Sequence, residues 1–104
     1  MTGEVVVVLF PFSDMSSAKN RPALVLIDVS GPDVVLAAIT STANNPHAVA
    51  LDTTDFQIGR LDHPSFVHPT KLFMCERSQI KKVVGKIKEH KRAEVDAALV
   101  NLLK

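Results

Sequence analysis

The stretch Asn20-Arg21-Pro22-Ala23-Leu24-Val25-Leu26 joins one arginine to an unbroken apolar run, directly after a polar segment. A short apolar run that opens with a proline predicts a buried strand, and we expect this strand to extend from Pro22 to Asp28. The residues Val29-Ser30-Gly31-Pro32 predict a turn. A second apolar run follows from Val34 to Thr40. The close spacing of the two runs predicts an antiparallel hairpin.

The two ends of this hairpin carry groups that suit a phosphate. Arg21 begins the first strand, and Thr40-Ser41-Thr42 ends the second. A guanidinium matches two phosphate oxygens, and hydroxyl groups add further hydrogen bonds. Two simpler interpretations stay open: Arg21 pairs with Asp14 or Asp28 as a strand-edge arginine, and the threonines and serine only form a turn.

Working outward, the residues Val5 to Phe10 predict a strand that ends at Pro11, followed by a Ser-rich loop from Phe12 to Asn20. Beyond the hairpin, short strands are predicted at Ala48–Leu51, Ser65–Val67 and Leu72–Met74, and a longer one at Lys81–Ile87. The segment from Thr53 to Pro64 is predicted to be irregular. His68-Pro69-Thr70 is expected to separate two of the short strands.

The tail from about His90 predicts a helix, because its apolar residues recur at helical spacing. That apolar stripe consists of Val95, Ala98, Leu99 and Leu102. Many short strands followed by one helix predict a mainly β fold, a small barrel or curled sheet with a C-terminal helix. The first three strands are apolar on both faces, and both faces can be buried only if the helix or another subunit covers the outside. This pattern suggests a homodimer.

Composition excludes several classes of protein. The chain has 104 residues, which fits one domain spanning 1–104, and 46% of them are hydrophobic, so the chain is not disordered. Cys75 is the single cysteine and cannot form an internal disulfide. No Cys and His spacing predicts a metal site, and we expect no metal and no cofactor. The sequence shows no signal-peptide layout and no run of membrane-spanning length, so we expect a cytoplasmic protein without a membrane partner.

Charge is distributed unevenly along the chain. Residues 71–92 contain eight Lys or Arg and two Glu, whereas the first seventy residues contain three Lys or Arg and seven Asp or Glu. A basic region of this kind is either a solvated face or the electrostatic footprint of nucleic-acid binding.

Several motifs in order resemble the MazF/PemK (Kid) family of bacterial toxins. They include Gly3-Glu4-Val5-Val6, the segment Arg21 to Leu26 and Ala38-Ile39-Thr40-Ser41-Thr42. The resemblance continues through Ser65 to Leu72 and Lys82 to Ile87 into the terminal helix. The chain departs from relatives at Asn20, where they often carry a basic residue, and at Thr70 and Lys71, where many have Glu-Gln.

The resemblance implies an SH3-like barrel that forms homodimers, like the MazF, PemK and CcdB toxins. It implies a sequence-specific, metal-independent endoribonuclease that cleaves single-stranded RNA and is neutralised by a cognate antitoxin. The family's catalytic pair corresponds to Arg21 and Thr40. The further candidates for RNA binding are Lys19, Asn20, Ser41, Thr42, His68 and Lys71.

Cleavage through the neighbouring 2′-hydroxyl needs a group that removes a proton, a group that protonates the leaving 5′-oxygen and a group that neutralises the phosphorane. An arginine keeps its proton at neutral pH and a threonine is no base, so the Arg21/Thr40 pair explains only the third task. Histidine is the natural proton carrier, and the sequence offers His47 and His68 near the predicted site. The alternatives are solvent-mediated proton transfer and ordinary loop histidines.

Two rival functions stay open. The same barrel occurs in CcdB-like toxins, which poison DNA gyrase through protein contacts. A catalytically silent barrel that only binds nucleic acid or a protein is the other alternative.

Overall fold

A computed structural model describes residues 1–11 and 18–104 of the chain. Within these residues there are seven strands and one α-helix, which run in chain order as β1 (Glu4–Pro11), β2 (Ala18–Ile27), β3 (Asp33–Thr40), β4 (Val49–Leu51), β5 (Phe56–Gly59), β6 (Ser65–Glu76), β7 (Ile80–Ile87) and α1 (Glu89–Leu102). Single 3₁₀ turns at Thr53–Asp55 and Arg77–Gln79 precede β5 and β7. Most of the predicted Ser-rich loop, including Asp14, lies outside the described residues.

The seven strands form one curled sheet in the order β4-β6-β3-β2-β1-β7-β5. Every neighbouring pair is antiparallel. The predicted fold class, a mainly β SH3-like barrel with a C-terminal helix, is confirmed. None of the described helices has the length and apolar character needed to cross a membrane.

The predicted hairpin of β2 and β3 is confirmed, with Ala23 opposite Ala38 and Val25 opposite Leu36. Its turn uses left-handed backbone at Ser30 and Gly31, where φ is 59° and 115°. β2 starts at Ala18, earlier than the predicted Pro22, because Lys19 and Asn20 continue the ladder with β1. The arginine of the opening stretch therefore lies within a strand rather than at its first residue.

Two hydrophobic clusters fill the two faces of the sheet, and adjacent residues of one strand alternate between them. Val5, Leu24 and Ala37 belong to the first cluster, which α1 covers through Val95. Val6, Val25 and Leu36 belong to the second, which is covered by the side chains of Phe73, Cys75 and Ile80. The chain thus buries the two clusters by itself. Large apolar side chains such as Met74 and Val83 stay exposed, and the homodimer stays a prediction.

β6 is one continuous strand of twelve residues, so the predicted break at His68-Pro69-Thr70 is wrong. The sequence signal has a structural counterpart, because Ala37 pairs with Leu72 whereas Ala38 pairs with His68. Three residues, Pro69 to Lys71, therefore bulge out of the ladder with β3. A proline is tolerated at a bulge, where its missing N–H costs no ladder bond.

The segment predicted to be irregular contains regular structure. Asp52 caps the turn at Thr53–Asp55, because its carboxylate accepts the Thr53 N–H at 2.7 Å. The Asp55 carboxylate in turn accepts the Asp52 N–H at 2.8 Å. Phe56 then enters the first cluster and begins β5. Gly59 faces Gly85 across the β5–β7 pair. The prediction missed β5 because the strand has only four residues.

The predicted helix is confirmed as α1, and its apolar stripe packs as expected through Val95, Ala98 and Leu99. Lys88 precedes the helix and its side chain makes no capping bond, in agreement with the missing N-cap signal. Arg92 ties α1 to the sheet, because its Nη2 donates to the Leu26 carbonyl at 2.8 Å.

Candidate active site

The hairpin of β2 and β3 brings Arg21 and Thr40 to one place. Ala23 and Ala38 are paired across the hairpin. Arg21 precedes Ala23 by two residues and Thr40 follows Ala38 by two, so both lie towards the same end of the hairpin. Since side chains alternate along a strand, both project from the same face as that pair. The two residues line a common cleft of about 300 Å³. The residues predicted to be catalytic are therefore neighbours in space.

The connection between β5 and β6 forms the opposite wall of this cleft. Leu61 packs against the first hydrophobic cluster and anchors the connection, and Ser65 Oγ donates to the His63 carbonyl at 3.0 Å. Within residues 1–11 and 18–104, the lining consists of Arg21, Pro22, Ile39, Thr40, Ser41, Leu61, Asp62, His63 and Ser65. Asp62 and His63 were not among the site residues predicted from the sequence. The available signal was a histidine beside a proline, which does not by itself predict which strands the loop faces.

A hydrogen-bond network lies directly behind Thr40. His68 Nε2 lies 2.7 Å from Thr40 Oγ1 and 2.9 Å from the Thr42 carbonyl oxygen. Thr40 Oγ1 lies 2.9 Å from that same carbonyl, and the Thr42 N–H lies 3.3 Å from Thr40 Oγ1. On the other side of the ring, Asn45 Nδ2 lies 3.2 Å from His68 Nδ1. The side chain of Thr40 is therefore held by a histidine and by a neighbouring peptide unit.

His68 has no exposed surface, although the sequence analysis placed it among the RNA-binding residues. A side chain with 0% exposure cannot touch RNA in this arrangement, so direct RNA contact does not fit the structure. Its location on β6 explains the burial, because His68 lies opposite Ala38 in the ladder between β3 and β6. The residue belongs to the layer behind the cleft.

The other predicted RNA-binding residues surround the cleft at different distances along the strands. Ser41 lines the cleft. Thr42 belongs to the network behind Thr40, where its carbonyl oxygen lies 2.9 Å from His68 Nε2. Lys19 and Asn20 are exposed on β2, and Lys19 shares the face of Arg21 because it lies two residues away. Lys71 is exposed in the bulge of β6.

The geometry bears on two alternatives from the sequence. Asp28 is bonded to Arg77, at the far end of β2 from Arg21, whereas Asp14, the other candidate partner of Arg21, lies outside the described residues. His47 is exposed and is not among the residues that line the cleft. Its backbone N–H donates to Asn45 Oδ1 at 2.9 Å. Among the described residues, no three His, Cys, Asp or Glu side chains cluster as the ligands of a metal ion would.

Several solved structures have the same fold. The toxin MazF-mt6 of Mycobacterium tuberculosis is similar with a TM-score of 0.76 and 19% identity, over 96% of this chain and 95% of that chain. An endoribonuclease from a mycobacterial species, in complex with its cognate antitoxin, has a TM-score of 0.76 and 16% identity, over 99% and 91% of the two chains. MazF from Deinococcus radiodurans has a TM-score of 0.73 and 25% identity, over 98% and 94%.

A search of curated proteins finds no match. A family model described as PemK-like, MazF-like toxin of type II toxin-antitoxin system matches residues 1–103. The match extends over all the strands and the helix, including both walls of the cleft. The chain therefore belongs to the PemK-like, MazF-like family of type II toxin–antitoxin toxins.

Proposed function

We propose that this protein is a sequence-specific, metal-independent endoribonuclease toxin that cleaves single-stranded RNA by attack of the 2′-hydroxyl. The observation that carries the proposal is the shared cleft of Arg21 and Thr40, the two residues that the resemblance to the family predicts as the catalytic pair. Similar solved structures include one named as an endoribonuclease, which supports the same class of reaction.

Arg21 supplies the positive charge that the reaction needs. The attacking 2′-oxygen forms a bond to phosphorus while the bond to the 5′-oxygen breaks, and extra negative charge develops on the non-bridging oxygens. A guanidinium donates two parallel hydrogen bonds to such oxygens and stays charged throughout. Thr40 donates one further hydrogen bond from the same face of the hairpin.

His63 is our candidate for proton transfer. Of the described residues that line the cleft, those with titratable side chains are Arg21, Asp62 and His63. An imidazole exchanges protons readily near neutral pH, whereas a guanidinium does not. His47 lies outside the cleft lining and His68 lies buried behind it. We therefore assign to His63 the proton carrier that the sequence analysis sought in His47 or His68.

We further propose the partners that this family implies. A cognate antitoxin would neutralise the protein, in keeping with the neighbour solved with its antitoxin. The working form would be a cytoplasmic homodimer of the domain 1–104. Because the chain covers both faces of its own sheet, sedimentation or light scattering must decide whether a dimer forms.

The direct test incubates the pure protein with single-stranded RNA in EDTA and identifies the fragment ends. We expect fragments that end in 2′,3′-cyclic phosphate, because the 2′-oxygen remains bonded to phosphorus. Arg21→Ala should lower kcat by about 10²-fold to 10³-fold, the usual cost of removing a donor to developing charge. The control is Lys104→Ala, which removes an exposed cation at the end of the chain, outside the lining of the cleft.

Circular dichroism must show that Arg21→Ala keeps the fold. Cleavage by this variant at the wild-type rate would show that the cleft is not the active site. Uncut RNA together with inhibition of gyrase supercoiling would favour the CcdB-like alternative. Uncut RNA without gyrase inhibition would favour a binding barrel, and either result would overturn the nuclease.

A further inference from the structure

We propose that His68 and Asn45 are positioning residues that keep the Thr40 hydroxyl in the role of hydrogen-bond donor to the reacting phosphate. This inference rests on the proposed function, because it assigns the way in which the same cleft handles its substrate. It is carried by the network behind Thr40, in which the buried His68 ring has a hydrogen-bond partner at each of its two nitrogens.

Asn45 determines which nitrogen of His68 carries the proton. The Asn45 Oδ1 atom accepts the backbone N–H of His47 at 2.9 Å, so the amide nitrogen is the atom that faces the ring. That nitrogen lies 3.2 Å from His68 Nδ1 and can only donate. Nδ1 must therefore accept, and the ring proton of the neutral imidazole is on Nε2.

The proton on Nε2 determines what Thr40 can do. The Nε2 proton is shared between two acceptors, Thr40 Oγ1 at 2.7 Å and the Thr42 carbonyl oxygen at 2.9 Å, and the Thr42 N–H approaches Thr40 Oγ1 at 3.3 Å. A hydroxyl has two lone pairs and one proton, so these two donors occupy its accepting capacity. The remaining capacity of Thr40 is its own proton, which is directed to the Thr42 carbonyl at 2.9 Å when no substrate is bound.

A phosphate oxygen fits this arrangement because it only accepts. It replaces the Thr42 carbonyl as the acceptor of the Thr40 proton, while that carbonyl keeps the bond from His68 Nε2 at 2.9 Å. The complete burial of His68 keeps water from competing for the ring nitrogens. With the opposite tautomer, an N–H of the ring would face an N–H of Asn45, and Nε2 would draw the hydroxyl proton away from the cleft.

The experiment measures single-turnover cleavage of RNA by His68→Leu, His68→Gln and Asn45→Ala, each in wild-type and in Thr40→Val backgrounds. In the wild-type background, His68→Leu should lower the rate of the chemical step by about tenfold to a hundredfold, since a small misplacement of a catalytic group has effects of that size. RNA affinity should change less than about twofold. Asn45→Ala should show a smaller loss, and His68→Gln, whose amide N–H reaches towards Thr40, should recover much of the rate.

In the Thr40→Val background, neither His68→Leu nor Asn45→Ala should cause a further loss, because both act through the missing hydroxyl. Losses that add in the two backgrounds would overturn the inference, as would a His68→Gln variant as slow as His68→Leu. His47→Leu is the control, since it alters an exposed histidine whose backbone, not its ring, holds Asn45. Thermal unfolding of each variant separates a lost fold from a lost role.

A second measurement does not depend on cleavage. The nitrogen chemical shifts of His68 should show a protonated Nε2 and an unprotonated Nδ1 in the wild-type protein. A protonated Nδ1 in the neutral ring would overturn the inference even if the enzyme is active. If the protein cuts no RNA under any condition, the proposed function fails, while the nitrogen shifts still decide the direction of the hydrogen bonds.

Discussion

Arg77 binds Asp28 through both carboxylate oxygens, with Nη1 3.0 Å from Oδ2 and Nη2 2.6 Å from Oδ1. The pair joins the residue that follows β2 to the 3₁₀ turn that follows β6. Arg77 also donates to the Gly31 carbonyl from Nε at 3.2 Å and from Nη2 at 2.9 Å. One arginine thus fixes the turn of the β2–β3 hairpin, at the end remote from the cleft.

This ion pair predicts a pH dependence of stability. The Arg77 hydrogen bonds lower the pKa of Asp28 to about 2. A carboxyl whose pKa is lowered by folding stabilises the folded state above its unfolded pKa of about 3.9, and the contribution disappears as the pH falls towards about 2. We expect Asp28→Asn to flatten the loss of stability between about pH 4 and pH 2. Urea unfolding at several pH values measures this, with the exposed Asp33→Asn as control. Equal pH profiles in Asp28→Asn and wild type would contradict the assignment.

Lys19 and Lys71 predict the salt dependence of RNA binding. Each phosphate contact on a single strand contributes about 0.7 to the slope of log K against log salt, because binding releases a counterion. We expect Lys19→Ala and Lys71→Ala each to reduce the slope by about that amount, and Lys104→Ala to leave it unchanged. The probe is an RNA with 2′-O-methyl groups, which cannot be cleaved. Unchanged slopes in both variants would exclude these lysines from the contact surface.

The role proposed for His63 predicts that its substitution impairs proton transfer but not RNA binding. His63→Ala should lower kcat by about 10²-fold or more while RNA affinity changes little, since acid–base groups contribute about 10²-fold to 10⁴-fold. Imidazole in the buffer should restore part of the rate, and His47→Ala should behave as wild type. A substrate with sulfur in place of the leaving 5′-oxygen needs no proton on the leaving group. Recovery of His63→Ala on that substrate would identify His63 as the acid, and an undiminished loss would identify it as the base. A variant that cleaves normal RNA at the wild-type rate would refute any such role.

The close approach of β5 to Gly85 on β7 predicts that a larger residue at this position lowers the stability of the fold. A methyl group on Gly85 would lie 2.5 Å from the Ile58 carbonyl oxygen and 2.8 Å from the ring of Phe56. Overpacking of this kind usually costs about 1–3 kcal/mol. We expect Gly85→Ala to lower the midpoint of thermal unfolding accordingly. A variant with the wild-type midpoint would show that β5 moves to accommodate the methyl group without loss of stability.

Much of the fold was predictable because local signals and packing agree. The alternation of Val5 and Val6, or of Leu24 and Val25, between two clusters is the pattern of strands buried on both faces. The sequence left open whether the helix or another subunit covers the outside of the strands. The helix covers the first cluster, and no local signal indicated that β6 is long enough to bring Phe73 and Cys75 over the second. Sheet curvature is a property of the whole chain and has no local signature.

The site was predictable only where it depends on the hairpin. Arg21 and Thr40 are close because a two-strand register places them together, and the spacing of the strands reveals that register. His63 enters the cleft through the packing of Leu61, which is a long-range contact. Likewise, the pairing of β6 with β3 sets His68 behind Thr40. Neither contact is encoded in nearby residues.

The basic region of residues 71–92 also needed the structure for its interpretation. Three of its eight cations have internal partners: Arg77 bonds Asp28, Lys91 bonds Glu94, and Arg92 bonds Asp96 and the Leu26 carbonyl. Side chains bound in this way contribute less to an attractive field than the sequence count implies. The cations left for a nucleic acid are the exposed lysines of β6 and β7, with Lys88 after them.

The bulge at Pro69 to Lys71 divides β6 into two paired segments with different structural roles. On one side of it, Phe66 to His68 keep the register that supports Thr40, and on the other, Leu72 to Glu76 keep the register that covers the second cluster. The three residues between them belong to neither ladder. Their identity and number can therefore change without moving the support of Thr40 or the core, which makes this segment a place where the surface can vary while the fold is kept.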